Sequence, residues 1–239
     1  HIPKTTLLQP IVNAHNRIRE LDEKEALSGF ISDEKIIYLI NRASDIVKDH
    51  NLDLWTYQCQ IYRRNSIDLN CDRHKDLFQK FNLIPKFCFG CYKVQIEPRS
   101  ILELLKLFVV FDQIKLPGNN TRKCMIEMRP IVSGFYKGLI YCSSLEEADR
   151  IAENMAKVVE ERIGPEVSVV VKRGCSEYPI SYPDYAEINK SGPQLMQYNE
   201  EWALIEDGYD AIHSIKNQKI ISPNLSFLCL SDVLIFLKW

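Results

Sequence analysis

The sequence predicts an α+β protein built around one antiparallel sheet, and two patterns support this fold class. Apolar residues alternate with period two in four short segments in the middle of the chain, as they do in half-buried strands. Between these segments they recur with the spacing of amphipathic helices. The 239 residues, 46% of them hydrophobic, suffice for one large core or two small ones. With only 9 glycines and 11 prolines, collagen-like and low-complexity classes are excluded.

The central region, residues 87–175, carries the four predicted strands and two helices. The strands are predicted at 87–97, 122–129, 135–142 and 167–173, with helices at 101–114 and from Ser143 or Ser144 to Ile163. Glu146 and Glu147 follow the serines as in a capping box. The order β-α-β-β-α-β predicts a ferredoxin-like unit. In that arrangement a four-stranded antiparallel sheet of order 4-1-3-2 carries both helices on one face.

Helical regions are predicted on both sides of this unit. Residues 1–86 form a mostly helical N-terminal region, with helices over 13–27, after a cap at Ser32, and over 72–81, while 54–64 fits either a strand or a helix. Residues 176–239 form an acidic helical C-terminal region, with helices over 194–215 and 231–239, and are expected to pack on the sheet.

The net charge of −2 excludes a chain that is basic throughout, as many nucleic-acid-binding proteins are. It hides an asymmetry, because residues 87–175 carry a net charge of +2 and residues 174–239 a net charge of −5. No apolar run reaches the ~20 residues that cross a bilayer, and no secretory signal is apparent, so we expect a cytoplasmic protein with reduced thiols and no membrane partner.

Eight cysteines are many for this length. In the predicted sheet the starts of strands 1 and 2 share an edge with the ends of strands 3 and 4. Five cysteines are therefore expected at that edge: Cys88, Cys91, Cys124, Cys142 and Cys175. Cys88 and Cys91 form a CxxC pair, and two further thiolates would complete a site for zinc or an iron–sulfur cluster. Packing of these cysteines as small apolar side chains is the alternative interpretation.

Cys175 also permits a third interpretation, as a reactive thiol. It follows Lys172, Arg173 and Gly174 at the predicted end of a strand, and neighbouring cations stabilise a thiolate. A cysteine-dependent enzyme would need a base in addition. The sequence brings none of the histidines close to Cys175.

The face of the sheet that its own helices leave open combines aromatic and basic residues. By strand parity it carries Phe89, Lys93, Lys123, Arg129, Lys137, Tyr141 and Lys172. Aromatic rings stack on bases and cations contact phosphates, so this face suits nucleic acid. Coverage of the face by the flanking helical regions is the alternative.

Residues 136–148 (YKGLIYCSSLEEA) are similar to the third strand and the start of the second helix of the RNA-recognition-motif family. The resemblance implies the βαββαβ topology. At the position where the family carries an aromatic residue, two residues after Gly138, this chain has Ile140.

The primary functional prediction is a cytoplasmic binding domain whose cysteine-rich edge holds zinc or an iron–sulfur cluster. The first alternative is a nucleic-acid- or protein-binding module that uses the open sheet face without metal, and the second is an enzyme that uses Cys175. A protein partner, or the remainder of a larger chain, is expected as a binding partner. No glycine-rich phosphate loop and no metalloprotease or serine-hydrolase motif occurs in the sequence.

Overall fold

The structure is a computed structural model that describes residues 4–21, 27–63, 69–130, 132–213 and 227–239. The strands are β1 (Gln60–Arg63), β2 (Tyr92–Glu97), β3 (Arg122–Ile126), β4 (Tyr136–Cys142) and β5 (Ser168–Arg173). The longer helices are α1 (Lys4–Arg19), α2 (Asp33–Asp49), α3 (Cys71–Phe81), α5 (Ile101–Gln113), α6 (Leu145–Arg162), α9 (Trp202–His213) and α10 (Leu230–Lys238). The described residues also contain three single helical turns: α4 (Lys86–Phe89), α7 (Tyr178–Ser181) and α8 (Pro183–Ala186).

Serine side chains begin three of these helices, as the sequence predicts. Ser32, Ser100 and Ser144 each accept a hydrogen bond from the backbone N–H three residues later, at 3.4, 3.2 and 3.1 Å. Each bond satisfies one of the backbone donors that a helix start leaves without an intrahelical partner. The Glu147 carboxylate in turn accepts from the Ser143 backbone N–H at 2.7 Å. These caps fix where α2, α5 and α6 begin.

The sheet contains five strands in the order β1-β3-β4-β2-β5, and every neighbouring pair is antiparallel. The four strands predicted in the central region thus lie in the predicted order. The expected sheet of four strands is wrong by one, because β1 pairs with β3, with Ile61 opposite Cys124. The local pattern of residues 54–64 fits either a helix or a strand. Its pairing with β3, a contact between residues far apart in the sequence, makes part of it a strand.

Helices α5 and α6 pack on one face of this sheet. Val94, Ile96, Cys124 and Ile140 point from the strands into a core shared with both helices. Gly138 on β4 allows α5 to approach closely, since a Cβ at this position would lie 3.0 Å from Phe111 Cζ. Side chains of α2 and α10 extend the same core on the outer side of α5. The N-terminal, central and C-terminal regions therefore share one apolar core.

The predicted strand over 87–97 begins only at Tyr92, because the residues before it form α4. Pro85 precedes this turn with an extended backbone (ψ 145°), and the Gly90 N–H closes it on the Phe87 carbonyl at 3.3 Å. Proline at a helix start fits this geometry, since its missing N–H would have no intrahelical acceptor. The strand parity that placed Phe89 on the open face is consequently wrong.

The described parts of the C-terminal region lie in three places. α7 and α8 pack at the end of β5, and α10 packs against α2 and β1 on the helix layer. α9 packs on α3, where Arg73 pairs with Asp210 at 2.6 Å and with Glu206 at 2.9 Å. The predicted helix over 194–215 starts only at Trp202. The predicted helix over 13–27 extends into residues 22–26, which lie outside the described residues. None of the described helices is both long enough and apolar enough to cross a bilayer.

Candidate functional site

The open face of the sheet forms the floor of a cleft of about 970 Å³. Because side chains alternate between faces along a strand, the residues that do not enter the apolar core point into this cleft. α3 contributes Cys71, Lys75 and Gln79, spaced four residues apart, to its wall. Of the described residues of the C-terminal region, Ser176 and Glu177 reach the cleft, at its edge.

Four neighbouring strands each place one lysine on the floor: Lys123 on β3, Lys137 on β4, Lys93 on β2 and Lys172 on β5. Lys93 lies directly opposite Lys172 and Tyr141 in the two adjacent ladders. Lys93, Lys123 and Lys137 are only 6%, 8% and 3% exposed. Lysines are rarely buried to this degree without a charged partner, so the groups around each ammonium decide how its charge is stabilised.

Six of the seven residues predicted for a nucleic-acid interface line this cleft, namely Lys93, Lys123, Arg129, Lys137, Tyr141 and Lys172. The seventh, Phe89, does not. It lies in α4 and packs edge-on against Tyr185 and Tyr198, with ring centroids 5.4 and 5.6 Å apart. The helical turn at 86–89 replaces the strand alternation from which the position of Phe89 was predicted.

Among the described residues, three carboxylates line the cleft: Glu127 and Glu177, which form ion pairs with its cations, and Asp72 on α3, which is exposed. Glu127 pairs with Arg129 at 2.8 Å and with Lys137 at 3.6 Å, and Glu177 also pairs with Arg129. Within the described part of the chain, Lys93, Lys123 and Lys172 form no ion pair with a carboxylate. These three lysines therefore make their part of the cleft floor positive.

Neutral groups hold two of these three ammonium groups in place. Lys123 Nζ donates to Gln60 Oε1 at 2.8 Å, and Lys172 Nζ donates to Ser176 Oγ at 2.6 Å. Burial, followed by repulsion from the charge of Lys93, lowers the pKa of both Lys123 and Lys172 to about 8. A bound anion would relieve this repulsion.

Lys93 has a different neighbour, the thiol of Cys175. Its Nζ donates to Cys175 Sγ at 3.5 Å and lies 5.2 Å from the centre of the Tyr141 ring. Burial is the largest influence and lowers the Lys93 pKa, but the combined interactions with Cys175, Tyr141, Cys91 and Cys71 outweigh it and raise this pKa well above its usual range. The lysine at the centre of the floor therefore stays charged.

We expect Glu127 to make stability depend on pH in the acidic range. Hydrogen bonds from Arg129 outweigh burial and lower the Glu127 pKa from 4.5 to about 2. Because the folded pKa is depressed, the stabilisation is fully present above pH ~4.5 and is lost progressively as the pH falls towards ~2. Urea unfolding of the wild type and of Glu127→Gln should differ most above pH 5, and the difference should vanish near pH 2. A difference independent of pH would contradict this assignment.

The five cysteines predicted at one sheet edge do not meet at one point. Cys124 and Cys142 point into the core beneath α5 and α6, whereas Cys175 lies on the opposite face, in the cleft. Cys88 is buried beside Tyr178, with its sulfur 3.2 Å from the Tyr178 hydroxyl. Cys91 is partly exposed, just before β2. Strand parity separates the sulfurs, because Cys124 and Cys142 share the face of Ile126 and Ile140.

The metal centre stays a prediction. Among the described residues no group of three or more histidine, cysteine, aspartate or glutamate side chains is arranged to hold a metal ion. All eight cysteines are free thiols. Two of them beyond the predicted five, Cys59 and Cys71, also line the cleft.

Sequence reasoning missed the contribution of α3 and β1 to this site. The stripe of Cys71, Lys75 and Gln79 is visible in the sequence as a helical i, i+4, i+8 pattern, but its orientation towards the sheet is a tertiary feature. Tyr62 on β1, which is 38% exposed and lines the cleft, lay in the segment of ambiguous structure.

Comparison of the chain with family models, with curated proteins and with solved structures finds no significant match in any of the three.

Proposed function

We propose that the chain binds single-stranded RNA in the cleft on the open sheet face. The observation that carries this proposal is the row formed by Lys93, Lys123 and Lys172, which no described carboxylate neutralises. Lys172 and Lys93 lie on neighbouring strands, ~4.8 Å apart, and Lys123 lies beyond Tyr141 of β4 on the next strand but one, so the three ammonium groups can contact phosphates along one flexible strand. A polyanion would replace the repulsion between these lysines with attraction.

Aromatic rings beside the lysines support a nucleic acid rather than a simple anion. Tyr62, partly exposed, lies with its ring centre 5.5 Å from Lys123 Nζ, and Tyr141 lies between Lys93 and Lys123. Rings of this kind offer stacking surfaces for bases next to the phosphate contacts.

The proposal includes the finer architecture. We infer that β2 to β5, with α5 and α6, form a ferredoxin-like unit to which β1 adds an edge strand. The strand order β3-β4-β2-β5 and the packing of both helices on one face support it. The eight free thiols support the cytoplasmic location expected from the sequence, where such groups stay reduced.

Binding of a fluorescent 12-nucleotide oligouridylate, followed by anisotropy, tests the function. We expect the logarithm of the binding constant to fall with the logarithm of salt concentration with a slope of about −2 to −3, from three or four phosphate contacts at ~0.7 each. Lys123→Gln and Lys172→Gln should each weaken binding by about tenfold and reduce the magnitude of the slope by about 0.7.

Lys157→Gln provides the matched control. Lys157 is exposed on α6, on the opposite side of the sheet, so its removal should leave both the affinity and the slope unchanged. Absence of binding by the wild type at 50 mM salt would refute the proposal. Equal losses in all three variants would mean that the contact is made by general surface charge and not by the cleft.

A further inference from the structure

We propose that Cys175 is a nucleophilic thiolate that undergoes thiol–disulfide exchange with small anionic disulfides, of the class of glutathione disulfide, bound in the cleft. This reaction shares the positive charge of the cleft with the RNA binding proposed above but does not depend on it. Three features support the proposal: the position of the sulfur, the charges that face it, and the contrast with the neighbouring thiols.

The backbone places the Cys175 sulfur beside the lysines of the cleft floor. β5 ends at Arg173, and Gly174 follows in a left-handed conformation (φ +54°), with its N–H bonded to the Cys91 carbonyl at 2.8 Å. This turn carries Cys175 off the end of the strand and into the cleft wall, where the residue remains partly exposed. A disulfide in the cleft could therefore reach the sulfur.

Cations face Cys175 from three separate elements: Lys93 on β2, Lys172 on β5 and Lys75 on α3. Lys93 also donates a hydrogen bond to the sulfur, at 3.5 Å. Burial opposes ionisation of the thiol, but the charge of Lys93, its hydrogen bond and the charges of Lys172 and Lys75 outweigh it and lower the Cys175 pKa. Arg129 also lines the cleft, and it is already paired with Glu127 and Glu177.

The thiols and phenols around Cys175 are neutral near pH 7, and the described carboxylates of its cleft are Glu127 and Glu177, both paired with Arg129, and the exposed Asp72. The thiols and phenols are Cys71 at the start of α3, Cys88 in α4, Cys91 before β2, Tyr141 on β4, Tyr178 in α7 and Tyr185 in α8, and burial is the main cause that raises the pKa of each. For Cys91 the value is about 11. None of these thiols and phenols therefore adds a negative charge that would disfavour the Cys175 thiolate.

The exchange needs no co-reactant beyond the disulfide. The Cys175 thiolate attacks one sulfur of the disulfide, a bond forms between the two sulfurs, and the original S–S bond breaks with its electron pair on the departing thiolate. The departing thiolate takes a proton from solvent or from a cleft ammonium group. The product is a mixed disulfide that carries the anionic half of the reagent into the cleft, beside Lys93 and Lys172.

Stopped-flow reaction with 5,5′-dithiobis(2-nitrobenzoate), a dianionic disulfide, tests this proposal on the complete chain without RNA. We expect one thiol to react about tenfold or more faster at pH 7 than free cysteine at the same pH, because a larger fraction of it is thiolate and the cleft attracts the reagent. The fast rate should fall with increasing salt. Cystamine, a dicationic disulfide, should show no such acceleration.

Three variants distinguish the outcomes. Cys175→Ser should abolish the fast phase, and Lys93→Met should slow it and move the midpoint of its pH dependence upward. Cys59→Ser is the matched control, because Cys59 lines the same cleft and is also partly exposed, and it should keep the fast phase. The proposal is overturned if the fast phase is absent from the wild type, persists in Cys175→Ser, or keeps its midpoint in Lys93→Met. Since no RNA is present, failure of RNA binding would leave each of these results interpretable.

Discussion

Gly174→Ala is expected to lower the free energy of unfolding by about 3 kcal/mol or more, from strain in the left-handed conformation plus overpacking. Gly174 has φ +54°, and a Cβ there would lie 2.7 Å from Cε1 and Cζ of Tyr185 and closer still to the hydroxyl oxygen. The ring has little room to retreat, because Tyr185 is fully buried and its hydroxyl donates to the Cys88 carbonyl at 2.6 Å. Urea unfolding followed by tryptophan fluorescence measures the loss.

Gly208→Ala is the control for this substitution. Gly208 lies within α9, and a Cβ there would meet no heavy atom within 4 Å. Alanine is favoured over glycine in a helix interior by about 1 kcal/mol, so this variant should be as stable as the wild type or more so. A Gly174→Ala protein within 0.5 kcal/mol (about the range of a neutral surface change) of the wild type would contradict the conformation described for the turn.

Asp232→Ala is expected to cost about 3 to 5 kcal/mol, the usual cost of removing one partner of a buried ion pair. Arg63 is fully buried on β1 and donates to Asp232 Oδ2 at 2.8 Å, with its guanidinium 3.7 Å from the centre of the Phe108 ring. Asp232 is 4% exposed and also accepts from the Cys229 backbone N–H at 3.0 Å. Its removal would leave the arginine charge in the apolar core. The same urea titration measures the effect.

An exposed pair provides the comparison. Arg17 and Asp49 approach to 3.5 Å with side chains 51% and 59% exposed, and such pairs contribute about 0 to 1 kcal/mol. Asp49→Ala should therefore change stability by less than 1 kcal/mol, a limit set by that same range. Equal effects of the two substitutions would show that the Arg63–Asp232 pair is hydrated and not part of the core.

Local patterns predicted most of the central fold. The period-two segments at β3, β4 and β5 and the serine caps of α5 and α6 are visible in a few neighbouring residues, and the order of elements restricts the sheet to few topologies. β1 could not be predicted in the same way, because its conformation depends on pairing with a strand about sixty residues later in the chain. The α4 turn shows the opposite error, since alternating aromatic residues mimic a strand after Pro85.

The candidate site was predictable as far as strand parity holds. Lys93, Lys123, Lys137 and Lys172 all sit within regular strands, so one parity rule places them on one face. The same parity rule, applied to the two faces of the sheet as well as to its edges, separates Cys124 from Cys175. The contact between Lys93 and Cys175 joins residues 82 positions apart and follows only from the turn at Gly174.

The contact between α9 and α3 has an electrostatic consequence for the whole molecule. Glu206 and Asp210 of α9 bind Arg73, on the side of α3 away from Lys75 and the cleft. These acidic residues therefore do not pair with the lysines of the cleft, so the net charge of −2 conceals a row of lysines on the cleft floor. Fields focused in a cleft steer oppositely charged molecules over about one Debye length, ~8 Å at physiological salt. A polyanion approaching this protein would be oriented by the cleft before contact, although the molecule as a whole repels it.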